Sequence, residues 1–154
     1  MNRKPNEASQ YAPGASDRAQ RALLEIWSRL GDYHDHLVLI GGLAPRFLIP
    51  QTSAAIPLHC GTYDVDLAID LAVADIQAYR TIRESLRRIG FERDTNASGR
   101  RRKHSFVMQV DEQPVILDFL TTIYDGPPAI VRSVTDELSA IQVEGLGLAL
   151  RSPM

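Results

Sequence analysis

Gly61-Thr62-Tyr63-Asp64-Val65-Asp66-Leu67-Ala68-Ile69-Asp70 is the stretch from which the rest of the chain is read. From Asp64 the residues alternate strictly. Asp64, Asp66, Ala68 and Asp70 fall on one face of a strand, and Val65, Leu67 and Ile69 fall on the other. The apolar face is expected to join a core. The acidic face sets Asp64 and Asp66 about 6.5–7 Å apart at Cα. Aspartate is depleted in strands, and neighbouring carboxylates repel. A divalent cation between them is the simplest compensation. A hard ion such as Mg²⁺ takes carboxylate oxygens and keeps positions open for water and phosphate.

Two flanking features extend this reading. Leu37-Val38-Leu39-Ile40 is a short buried-strand signal ending in Gly41-Gly42, and Leu43 to Ile49 is a short helical stretch closed by Pro50. A strand, a glycine pair and a helix start together make an anion site, with bare N–H groups and a helix dipole. Arg46 lies on the first turn of that helix, where it either reaches a phosphate or is simply solvated. Downstream, Val115-Ile116-Leu117-Asp118-Phe119-Leu120 is an apolar strand interrupted by one acid.

In this order, the strand ending in Gly-Gly, the Asp-x-Asp strand with Thr62 two residues ahead of it, and the lone Asp118 resemble the polymerase-beta-type nucleotidyltransferase superfamily. The nearest branch is the AbiEii toxin-like one, whose core often reads Gly-Gly-x-Ala and then Thr-x-Asp-hydrophobic-Asp. The resemblance covers residues 18–120. Many relatives carry an Arg two residues before that Thr, where this chain has Cys60.

The resemblance implies a metal-dependent nucleotidyltransferase that moves an NMP from an NTP to a hydroxyl acceptor: RNA, protein or small molecule. Two Mg²⁺ ions would be held by Asp64, Asp66 and Asp118, which are the catalytic and metal residues of this reading. Gly41, Gly42, Thr62, Arg46 and His104 would contact the nucleotide. The branch raises a toxin role with a separate antitoxin as partner. The alternative from another class is a non-catalytic nucleotide- or protein-binding module that keeps the fold.

The bulk composition agrees with one globular domain. The chain has 154 residues, 44% of them hydrophobic and 23% charged, as in ordinary soluble domains. A net charge of −2 speaks against a generally basic nucleic-acid binder. A single cysteine excludes an internal disulfide and fits a reducing cytoplasm. No apolar run reaches the roughly 18–20 residues of a membrane span, so no membrane partner is expected.

Along the chain, residues 1–15 read as a flexible arm and 16–154 as the domain. Ser16 or Asp17 is expected to cap a helix running to about Leu30, with Ala19, Leu23, Ile26, Trp27 and Leu30 inward. Tyr33-His34-Asp35-His36 leads into the first strand. Residues 50–61 are a loop in which His59 is a possible substrate contact and Cys60 a small buried filler. A helix from about Asp75 to Ile89 carries Ile76, Tyr79, Ile82, Leu86 and Ile89 inward, with Arg80, Arg83, Arg87 and Arg88 on a polar side. Gly90 ends it. A strand beginning at Phe91 follows. Arg100 to His104 leads into a hairpin of 106–110 and 115–120 around residues 111–114. The basic run Arg100 to Lys103 is either a solvated hairpin entry or a patch for phosphates. Residues 124–128 read as loop, and 140–150 as two short strands around glycines. The expected fold is α/β, a mixed twisted sheet with flanking helices, without the C-terminal helical region usual in relatives.

Overall fold

The computed structural model describes residues 13–49, 62–70, 76–96, 98–123, 131–133 and 139–151. Most of the arm, the 50–61 loop with His59 and Cys60, and the 124–128 loop lie outside them. The architecture is α/β. Among the described residues seven strands form one mixed sheet: β1 (Leu37–Ile40), β2 (Asp64–Ile69), β3 (Glu92–Thr95), β4 (Arg101–Val110), β5 (Gln113–Thr121), β6 (Val131–Ser133) and β7 (Ser139–Gln142). Its main path runs β1-β2-β5-β4-β3. β7 pairs with the end of β5, and β6 pairs with β7.

Among the described residues the parallel pairs are β2–β5 and β5–β7. The helices are α1 (Ala15–Arg29), α2 (Pro45–Leu48), α3 (Ile76–Arg88) and α4 (Leu146–Arg151). Among the described residues no helix is long and apolar enough to cross a membrane.

One face of the sheet makes the core. Val65, Leu67 and Ile69 of β2 and Val115, Leu117 and Phe119 of β5 are all buried against Ala19, Ala22, Leu23, Ile26 and Leu30 of the α1 region and Ile82 and Leu86 of α3. Phe106 meets Phe119 edge-on, with centroids 5.9 Å apart. Each large apolar side chain buried this way contributes about 1.5–3 kcal/mol. The i, i+3, i+4 spacing of α1 and the period of two in β2 therefore meet on one layer.

Between β4 and β5 the chain turns through Asp111 and Glu112 alone, both at positive φ (51° and 61°). That is the two-residue mirror-type turn that suits the twist of an antiparallel hairpin. It is tighter than the four residues 111–114 expected from the sequence. The Asp111 carboxylate accepts from Arg21 of α1, which ties the turn to the helix layer.

Several local expectations are corrected. Helix α1 begins at Ala15 behind Gly14 (φ 73°), with no side-chain cap. Residues Gly31–His36, ahead of the first strand, form a 3-10 helix. It is held by His34, whose ring stacks on Trp27 with centroids 4.3 Å apart and whose Nε2 lies 2.8 Å from the Trp27 carbonyl oxygen. β4 starts at Arg101, earlier than expected, because Thr95 pairs with Arg101 across a register shift.

The stretch 140–150 is one strand and one helix, not two strands. Gly145 (φ 80°) turns the chain, and Leu146-Gly147-Leu148-Ala149-Leu150 then winds into α4. Leucine and alanine are strong helix formers, and α4 lies against β1 and β2.

Candidate functional site

The other face of the sheet carries the acids. In β1–β2 the register pairs Ile40 with Asp66. In the parallel β2–β5 pair Asp66 stands opposite Asp118, and in β4–β5 Asp118 stands opposite Ser105. Paired residues point to the same side of a sheet, so Ile40, Asp66, Asp118 and Ser105 form one row across four strands. The Cα atoms of Asp66 and Asp118 are then about 4.8 Å apart, the spacing of neighbouring strands. Asp64 lies two residues before Asp66, on the same face, paired with Ile116. Asp64 is buried, and Asp66 and Asp118 are half-buried.

The glycine turn closes over this row. Gly41 has φ of 69°, in the left-handed region. A Cβ there would lie 2.1 Å from Asp66 Oδ2 and 3.0 Å from Asp66 Cβ. The Asp66 carboxylate therefore fills the space that any other residue's side chain would need. Glycine is required here twice over, for its backbone conformation and for close approach. Gly42 follows in the same 3-10 turn, Gly41–Leu43.

The helix expected from Leu43 to Ile49 is only this turn and the four residues of α2. So short an element has little macrodipole, because aligned peptide dipoles must add over several turns. The anion-binding potential read from a helix start therefore reduces to the backbone of the glycine turn.

Thr62 braces the entry to β2. Its Oγ1 accepts from the Asp64 N–H (3.1 Å) and donates to the Asp64 carbonyl (3.2 Å). Its own N–H donates to Ser16 Oγ of α1 at 3.2 Å. Ser16 thus anchors the strand entry instead of capping its helix. Arg46 is held by Asp17 at 2.5 Å. Its guanidinium is engaged with α1, a long-range partner invisible in a local reading. Asp70 follows the last residue of β2, where its N–H donates to the His36 carbonyl at 3.3 Å.

His104 directly precedes Ser105, in the part of β4 where pairing with β3 is irregular. It is half-buried, and its Nδ1 has no hydrogen-bond partner among the described residues. Burial pushes its pKa below the ordinary histidine value. Asp118 pulls it back up, Arg102 adds to the lowering and Asp94 opposes it.

A depressed histidine pKa means that the folded state resists a proton the unfolded chain accepts. The associated stability is fully present above about pH 6.5 and is lost as pH falls from there toward the lowered value. His104→Gln is therefore expected to flatten the acid side of the melting-temperature profile between about pH 5 and 8. The check is thermal melting of both proteins across that range. Parallel profiles would show that His104 does not titrate against folding.

Whether the acids suit a cation can be judged from the row itself. Two carboxylates directly opposite on neighbouring strands repel and destabilise a sheet. Asp118 Oδ1 is buried with no hydrogen-bond partner among the described residues, and a buried unpaired carboxylate oxygen is costly. Both features fit a cation lodged between Asp66 and Asp118.

Among the described residues no group of three or more His, Cys, Asp and Glu is gathered as a metal cage. Mg²⁺ does not require one. It is commonly held by one or two carboxylates plus waters and substrate phosphates.

Ser105, buried and opposite Asp118, was missed in the sequence. A two-residue turn at 111–112 pairs Val110 with Gln113, and counting back from it puts residue 105 opposite 118. No protein-family model, curated protein or solved structure matches the chain.

Proposed function

We propose that the chain is a metal-dependent nucleotidyltransferase that transfers an NMP from an NTP to a hydroxyl acceptor. The observation that carries this reading is the in-register pair Asp66–Asp118, with Gly41 folded onto the Asp66 carboxylate. It combines with the sequence resemblance to the polymerase-beta-type superfamily.

Asp66 and Asp118 would share bound Mg²⁺, and Asp64 would add oxygens from the same strand. When bound, such ions would acidify the attacking hydroxyl and offset the charge of the leaving pyrophosphate. Asp118 would orient the acceptor hydroxyl and take its proton. Gly41 and Gly42 would present backbone N–H groups to the β and γ phosphates without a side chain in the way. Thr62 keeps the entry to β2 fixed through its two bonds to the Asp64 backbone. It would thereby hold Asp64 and Asp66 in position and would not itself bind nucleotide. An enzyme drawing on NTP belongs in the cytoplasm. A toxin role with an antitoxin partner rests on the sequence resemblance alone.

The test is incubation with each α-labelled NTP, Mg²⁺, and total RNA or total protein. Label is expected in one macromolecular fraction and is expected to vanish with a chelator. Binding of NTP without any label transfer or pyrophosphate release would favour the non-catalytic nucleotide-binding module instead.

A further inference from the structure

We infer that the cavity between the end of α3 and the β3–β4 edge is a binding site for a ligand carrying several clustered phosphates. The cavity measures about 640 Å³ and is lined by Arg83 and Arg87 of α3, Arg93 of β3, Arg101 of β4, Glu92 and the buried ring of Phe106. Four arginines against one glutamate give a local formal charge of +3, in a chain whose net charge is −2. Its size is that of a small-molecule site and exceeds what a single phosphate would fill.

The lining gathers like charges. Arg83 and Arg87 are four residues apart on one helix, and like charges at that spacing destabilise it. Arg93 is partly desolvated, and its pKa is lowered first by that burial and then by the charges of Arg83 and Arg101. Guanidinium groups converging from a helix and two strands match the planar, bidentate geometry with which arginine binds phosphate oxygens.

The site is separate from the acidic row, and its ligand does not depend on what Asp66 and Asp118 do.

The test uses the full chain in EDTA with two probes: inorganic tripolyphosphate, and a fluorescein-labelled single-stranded RNA octamer. Binding is followed by calorimetry and anisotropy over a salt series. Arg83→Gln/Arg87→Gln is expected to weaken tripolyphosphate binding at least about tenfold. It should also flatten the salt dependence of RNA binding by about 1.4 in log–log slope for the two lost charges. Arg101→Gln, on a different element, should weaken both probes in the same direction. Arg80→Gln, on α3 but outside the cavity lining, should change neither by more than about twofold.

If the octamer binds well above tripolyphosphate and the double variant removes that preference, the phosphates belong to a nucleic-acid backbone. Equal binding of the two assigns the site to a free polyphosphate or nucleotide. Asp66→Asn should keep both affinities, so a failure of the catalytic reading would leave this result standing. Wild-type chain that binds neither probe, or folded double variant and Arg101→Gln proteins that bind both as the wild type does, would overturn the inference. Equal weakening by Arg80→Gln would overturn it as well.

Discussion

Asp66→Asn is expected to lower nucleotidyl transfer by about 10²–10³ or more, the loss typical when a principal electrostatic stabiliser of the transition state is removed. The substitution keeps the shape of the side chain beneath Gly41 and removes one of two charges that stand in register across β2 and β5. The same change relieves the repulsion between Asp66 and Asp118. The melting temperature without metal should therefore stay level or rise while turnover collapses.

Asp70→Asn is the internal control. It shares the acidic face, but four residues of strand carry it about 13 Å from Asp66. Turnover and melting of both variants, with and without Mg²⁺, make the comparison. Equal losses in the two would mean that the metal-binding part of the face has been misassigned.

Gly41→Val should damage both the fold and the site. A residue other than glycine at φ 69° costs about 1–2 kcal/mol in backbone strain, or roughly 2–8 °C in melting temperature for a domain of this size. Its Cβ would start 2.1 Å from Asp66 Oδ2, so the carboxylate must swing away from Asp118. Turnover is expected to fall about as far as in Asp66→Asn. At the same time the melting temperature drops instead of holding. Gly41→Ala brings the same clash and positive φ without the β-branch, so it should lose turnover as far with a smaller drop in melting temperature. Either variant retaining wild-type turnover would show that Asp66 need not sit where the turn now holds it.

How much of this was legible beforehand differs by element. The alternation from Asp64 to Asp70 correctly divided β2 into a core face and an acidic face, because a period of two is a purely local property. The same rule placed Asp118 opposite the buried set of β5. The pairing of Asp66 with Asp118 was not legible, since register depends on how a whole strand seats beside its neighbour. The helices α1 and α3 were visible from their apolar stripes.

Residues 140–150 misled because short apolar segments around glycine suit a strand or a helix equally. Contact with β1 and β2 accompanies the helical outcome for α4. Arg46 looked available for phosphate because its partner Asp17 is 29 positions away. Arg83 and Arg87 were read as the polar side of α3, and their spacing of four like charges was the available hint of the cavity they share with Arg93 and Arg101. That cavity needs three elements brought together, which no local window contains.

Pyrophosphate release from each of the four NTPs, measured with Mg²⁺ and again with EDTA, tests the central claim most directly. Wild-type chain is predicted to release pyrophosphate from at least one NTP once its acceptor is supplied from a cell extract. The release should stop with EDTA and fall by about 10²–10³ in Asp66→Asn and Asp118→Asn. Folded wild-type chain that releases none from any NTP, or release that persists undiminished in both variants, would contradict the account.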